Sequence, residues 1–112
     1  MRVNILGTDY EIILDADPKK DKNMIDNDGY CDHSVRKIVV SKLEQDDNSL
    51  EDLVDYGKKV LRHEIIHAFL CESGLRECSG RAGAWAQNEE MVDWIAVQAP
   101  KIFEAFRQCN CI

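Results

Sequence analysis

His63-Glu64-Ile65-Ile66-His67 sets two imidazoles four residues apart with a carboxylate between them. Four residues is close to one helical turn, so on a helix both rings lie on one face and can reach a single cation, while Glu64 projects about 100° round from His63. The stretch therefore offers two metal ligands, His63 and His67, and a general base, Glu64. It also decides the fold, because it demands a long helix here and a second element to deliver what is missing. A tetrahedral catalytic zinc site takes three protein ligands and leaves its fourth corner for water.

The third ligand is read in Asn88-Glu89-Glu90-Met91-Val92-Asp93, at the start of a second helical pattern. N-E-x-x-x-D resembles the glutamate helix of the gluzincin metallopeptidases, N-E-x-x-S-D. That resemblance implies Glu89 as the third zinc ligand and Asp93, one turn on, as the carboxylate that holds His63 from behind. The physics agrees, since a metal-bound imidazole usually donates its other N–H to a carboxylate or carbonyl that fixes its tautomer. Val92 stands where the family pattern has Ser, and it touches neither proposed ligand. Glu90 is the rival to Glu89. A shift of one residue would swing the carboxylate about 100° round the helix, and Asp93 is four residues from Glu89 but three from Glu90, which favours Glu89. The bland alternative is a half-exposed His pair meeting nearby carboxylates.

Length and composition narrow the rest. The 112 residues, 45% hydrophobic and 31% charged, suit one domain over 1–112 with a single core. Met1-Arg2-Val3-Asn4-Ile5-Leu6-Gly7 has one basic residue and a short, interrupted apolar run, so neither a signal peptide nor a membrane span is expected. The net charge of −7, with Lys and Arg scattered, argues against a grip on nucleic-acid phosphates. A cytoplasmic protein is the resulting expectation. Cys31, Cys71, Cys78, Cys109 and Cys111 are odd in number and contain no C-x-x-C, which fits a reduced compartment and structural or incidental thiols. The other reading is a tail thiolate reaching the zinc and keeping an enzyme latent.

Along the chain, Val3 to Leu6 and Tyr10 to Leu14 read as strands joined at Gly7-Thr8-Asp9, and Asp15 to Gly29 as a loop. Asp26-Asn27-Asp28-Gly29 shares part of a calcium-loop pattern, but Met24 and Val35 occupy its first and twelfth ligand positions, so that reading fails. Tyr30 to His33 and Lys37 to Ser41 read as a hairpin. A long helix is predicted from Asn48 or Ser49, either of which offers a capping side chain, to Ser73-Gly74. Val54, Leu61, Ile65 and Phe69 face one way on it, and Leu53, Val60, His63, His67 and Leu70 nearly the other. Such a helix is buried on two sides, with the sheet on the first and a second helix on the His side. That second helix is expected from about Ala84 to Phe106 after a reversal over Leu75 to Gly83. Trp85, Val92, Ile95, Ala96, Phe103 and Phe106 form its apolar stripe, and Pro100 is expected to kink or break it near Ala99.

This order of elements is similar to the zincin core: an α+β fold with a small N-terminal sheet on a long H-E-x-x-H helix, followed by an antiparallel glutamate helix. The chain looks most like the minimal gluzincins and the small phage and bacterial metallopeptidases of the SprT-like and ImmA/IrrE groups. Ser73 stands where metzincins carry a third His. The resemblance implies a small Zn2+-dependent peptidase acting on a peptide or protein substrate, with no nucleic-acid or membrane partner. It also implies an edge strand that pairs with the substrate backbone, placed at Lys37, Ile38, Val39 and Val40. Larger gluzincins add a Tyr or His that stabilises the oxyanion; Tyr30, His33, Tyr56, Arg62 and Arg81 are candidates here. The alternative is a weakly active or non-catalytic zinc-binding regulatory protein that keeps the same core.

Overall fold

Strand β1 (Arg2–Ile5) turns back into β2 (Thr8–Ala16) through two residues, Leu6 and Gly7, both left-handed with φ of 50° and 93°. This mirror-image turn matches the twist of the strands it joins. Asn4 pins it: its side chain accepts from the Gly7 N–H at 3.0 Å and donates to Asp9 at 2.8 Å. Thr8 and Asp9, expected in the turn, are therefore strand residues. The computed structural model describes residues 1–49, 51–78 and 85–112, without the side chains of Cys78, Trp85, Ala105, Phe106 and Gln108.

Strands β3 (Gly29–Asp32) and β4 (Lys37–Ser41) form the second hairpin, and β4 pairs in parallel with β2, giving a mixed sheet in the order β1-β2-β4-β3. The β2–β4 ladder breaks between Ile13 and Ala16, where Asp15 has φ 55°. Lys37, Ile38, Val39 and Val40 were expected at the sheet edge, and this placement is corrected: β4 is an inner strand with ladders on both sides. The reason is legible in its composition, since the apolar run Ile38-Val39-Val40 is buried without alternation, as in a strand covered on both faces. The edge beside it is β3.

Helix α1 (Leu53–Glu72) begins after Asp52, whose carboxylate accepts from the Asp55 N–H at 3.0 Å. Asn48 and Ser49, the expected caps, belong instead to a separate turn on Asp46, which accepts from the Asn48 N–H and the Ser49 hydroxyl. The helix stops as expected at Ser73 and Gly74, the latter at φ 82°. Val60, Glu64 and Ala68 form its buried row, with Ala68 joining Ile5, Tyr10, Ile12 and Ile38 in the core and Leu61 and Ile65 packed alongside. Phe69, expected with them, is exposed. Each four-residue step drifts by about 40°, which turns the row off the sheet by that point. Val54 is exposed as well. Glu72 ties the end of α1 to β2 by accepting from Tyr10 at 2.8 Å and Thr8 at 3.0 Å.

After a single turn, α2 (Leu75–Cys78), the expected reversal and its Arg81 lie largely outside the described residues. A 3-10 turn over Trp85–Gln87 then leads into helix α3 (Glu89–Gln108). It starts later than Ala84 because Asn88 caps it, accepting from the Met91 N–H at 2.9 Å. Contacts of His67 and His63 with Glu89, of Lys59 with Asp93 and of Arg62 with Ala96 show α3 running antiparallel along α1. Val92 and Ala96 are buried there, whereas Phe103 is exposed. Helix α1 is thus packed between the sheet and α3. No helix among the described residues is long and apolar enough to cross a membrane.

Helix α3 continues through Pro100, so of the expected kink or break the break does not occur. A proline lacks the N–H that would bond the carbonyl four residues back, which here is Ala96. The Arg62 side chain supplies that donor, with its Nε–H directed at the Ala96 oxygen. Arg62→Met should therefore cost about 1.5–3 kcal/mol, the range for a hydrogen bond from a charged group, and clearly less in a Pro100→Ala background, where the helix satisfies its own carbonyl. Urea unfolding of the four proteins measures the coupling; equal costs in both backgrounds would show that Arg62 does not serve this carbonyl.

Candidate metal centre

The donor atoms of His63, His67 and Glu89 converge in the seam between α1 and α3. The two Nε2 atoms lie 3.1 Å apart, Glu89 Oε2 is 3.0 Å from His63 Nε2, and Glu89 Oε1 is 3.2 Å from His67 Nε2. Each element contributes by its local structure. The rings are one turn apart on α1, and the Asn88 cap makes Glu89 the first residue of α3, where its carboxylate can lean across the helix end. Among the described residues this is the one group of three or more His, Cys, Asp or Glu side chains placed to hold a metal ion.

Asp93 lies behind His63, with Oδ1 3.3 Å from Nδ1. Nδ1 then donates to Asp93, and Nε2 presents its lone pair to the seam. Two imidazole nitrogens and a carboxylate meeting within hydrogen-bond distance leave at most a proton or two to share. A cation satisfies all three at once. For zinc bonds of 2.0–2.1 Å, a tetrahedron has edges of about 3.3–3.4 Å, within a few tenths of an ångström of the observed triangle. The two-nitrogen, one-carboxylate donor set suits the same ion. Burial lowers the pKa of His67, favouring the neutral ring that a metal ligand needs.

Lys59 was not singled out from the sequence, though it precedes His63 by four residues on the same face. Its ammonium pairs with Asp93, and it is the first reason, before His63, that the Asp93 carboxyl is held below its ordinary range. Glu90 is exposed and takes no part in the donor group, so the register places Glu89 there.

Glu64 sits beside the triangle on the sheet side of α1. It is only 7% exposed, and no donor among the described residues reaches its carboxylate. Burial, and secondarily the Glu89 charge, push its pKa up to about 7. A carboxylate at this place beside the donor triangle is positioned to take and return a proton. Gly29 makes its close seat possible: a Cβ there would lie 2.8 Å from Val60 Cγ1, 3.0 Å from the Val39 carbonyl and 3.4 Å from Glu64 Cγ. The edge strand β3 thus passes directly against Glu64 because it opens on a glycine.

The remaining candidates separate. Tyr56 shares a cavity with His63 and Glu64 and donates its hydroxyl to Asp28. Tyr30 donates to Asp21 at 2.6 Å, the His33 ring accepts from Arg76, and Arg62 is committed to Ala96. Cys31, Cys71, Cys109 and Cys111 carry no disulfide, and none joins the donor group. Burial, with the charge of Glu64 behind it, pushes the Cys31 thiol up to about 12, which leaves it protonated. No known protein family, curated protein or solved structure gives a significant match to the chain.

The geometry distinguishes adjacent carboxylates by metal affinity. Glu89→Ala should lower zinc affinity by at least 100-fold in competition titration, Asp93→Ala by about 10–100-fold, and Glu90→Ala should leave it within twofold of the wild type. Equal losses for Glu89→Ala and Glu90→Ala would contradict the register.

Proposed function

We propose that this chain is a small zinc metallopeptidase of the zincin type, hydrolysing peptide bonds with Glu64 as general base. The observation that carries the reading is the pairing of two features: a triangle of His63, His67 and Glu89 donors 3.0–3.2 Å apart, and beside it a buried carboxylate without a hydrogen-bond donor among the described residues. Zinc, when bound, would supply a Lewis acid that polarises the scissile carbonyl and acidifies water. His63 and His67 would hold it through Nε2 and Glu89 through its carboxylate, with Asp93 fixing the His63 tautomer. Glu64 takes a proton from the attacking water and returns it to the departing amine, so that one water is consumed for each peptide bond broken.

The substrate backbone needs a strand to pair with, and β3 (Gly29–Asp32) is the sheet edge next to Glu64. An extended peptide added there would bring its carbonyl past Glu64. This reading agrees with the resemblance of H-E-x-x-H and N-E-x-x-x-D to gluzincins. It also makes sense of Glu64 better than a non-catalytic zinc protein does. A purely structural site has no use for an extra carboxylate held beside its ligands.

Glu64→Gln should keep the zinc content of the wild type and lower peptide cleavage by about 10²–10⁴-fold, the usual contribution of a general base. Incubating both proteins with a denatured protein mixture and mapping new termini by mass spectrometry checks it. Cleavage that persists undiminished in the variant would remove Glu64 from the mechanism, and silence of the zinc-loaded wild type would count against a peptidase.

A further inference from the structure

The cleft continues beyond Glu64 as a cavity of about 190 Å³ between α1, α3 and the segment leading into β3. Its wall is strongly acidic: Asp26, Asp28, Asp93 and Glu64 line it, against one cation, Lys59. Lys59 is already paired with Asp93, and Asp28 accepts only the neutral hydroxyl of Tyr56. No described residue hydrogen-bonds or ion-pairs with the Asp26 side chain. Independently of these aspartates, Glu64, a residue more than nine-tenths buried and without a donor among the described residues, lines the same cavity.

The carboxylates encircle the cavity without meeting at a point, since the His63, His67 and Glu89 group is the one convergent donor set among the described residues. Dispersed charge of this kind suits a cationic group on a flexible stem better than a bare ion. The lining is mostly polar, with the Tyr56 ring beside it as a face a cation can approach.

We propose that this cavity is a specificity subsite for a lysine or arginine side chain of the peptide substrate next to the scissile bond, with Asp26 and Asp28 as its counter-charges. The proposal rests on the peptidase reading above, and it assigns the substrate class that reading leaves open. Association of a basic side chain with a pocket of this charge is favourable and weakens as salt rises.

The test uses zinc-loaded full-length protein and a set of otherwise identical fluorescent alanine-rich peptides in which one position is Lys, Arg, Gln or Glu. Wild type should cleave the Lys and Arg peptides with kcat/KM at least tenfold above the Glu peptide, and the ratio should shrink in high salt. In the double variant Asp26→Asn, Asp28→Asn it should approach unity. Zinc content reports on the fold. Should the double variant lose zinc, Asp26→Asn alone carries the test, because Asp26 has no partner among the described residues and its φ of 61° is one that asparagine also accepts. Cleavage by wild type with no preference for charge, or a preference that survives both variants, overturns the subsite while leaving the peptidase standing. If wild type cleaves none of the peptides, the peptidase reading fails and binding decides the subsite. Fluorescence anisotropy with the zinc-loaded wild type should then show the Lys peptide binding at least tenfold tighter than the Glu peptide; equal binding overturns it.

Discussion

The interaction on which the arrangement depends is the meeting of two α1 imidazoles with the Glu89 carboxylate at the start of α3. Helix α3 packs on α1, and its first turn is anchored there by polar groups: Glu89 on the His pair, and Asp93 on His63 and Lys59. A cation at the centre of the triangle would join the two helices as well as equip the site, because binding energy at a site absent from the unfolded chain is folding energy. In a chain of 112 residues with one small core, such a tie is a large fraction of a marginal stability.

The elements around the site carry local costs that make sense only together. Glu64 gives up hydration to sit under the His face, and Gly29 gives up a side chain so that β3 can pass beside it. Pro100 removes a helical hydrogen bond from α3, and Arg62 of α1 reaches across to replace the donor. Each of these ties the seam between α1 and its neighbours to a particular side chain. The seam is consequently specified residue by residue, whereas the outer parts of both helices leave Val54, Trp94 and Phe103 exposed.

Much of this was legible in the sequence, for physical reasons. The strands, the long helix and its glycine stop follow from alternation, periodicity and φ preference; the His63 and His67 pair follows from helical spacing, and Glu89 from the resemblance of N-E-x-x-x-D to the gluzincin glutamate helix. Where the reading went astray, a partner outside the pattern being read won over the expected one. Asn48 and Ser49 look like caps, but Asp46 claims them and leaves the cap to Asp52. Lys37 to Val40 reads as a strand correctly and as an edge wrongly, because strand order is a property of the sheet; the unbroken burial of Ile38, Val39 and Val40 was the available hint. Pro100 reads as a breaker because its rescue comes from Arg62, in another helix. The placement of Asp26, Asp28 and Lys59 around one cavity could not be read from local pattern, since it arises only where three segments enclose that space.

The central claim is that His63, His67 and Glu89 together form a nitrogen- and oxygen-only metal site, with the tail cysteines outside it. X-ray absorption at the zinc edge of the loaded full-length protein tests this most directly. The account predicts stoichiometric zinc with a first shell of nitrogen and oxygen at about 2.0–2.1 Å, including two imidazoles, and no sulfur. A sulfur neighbour at about 2.3 Å, or a protein that retains no stoichiometric zinc, would contradict it.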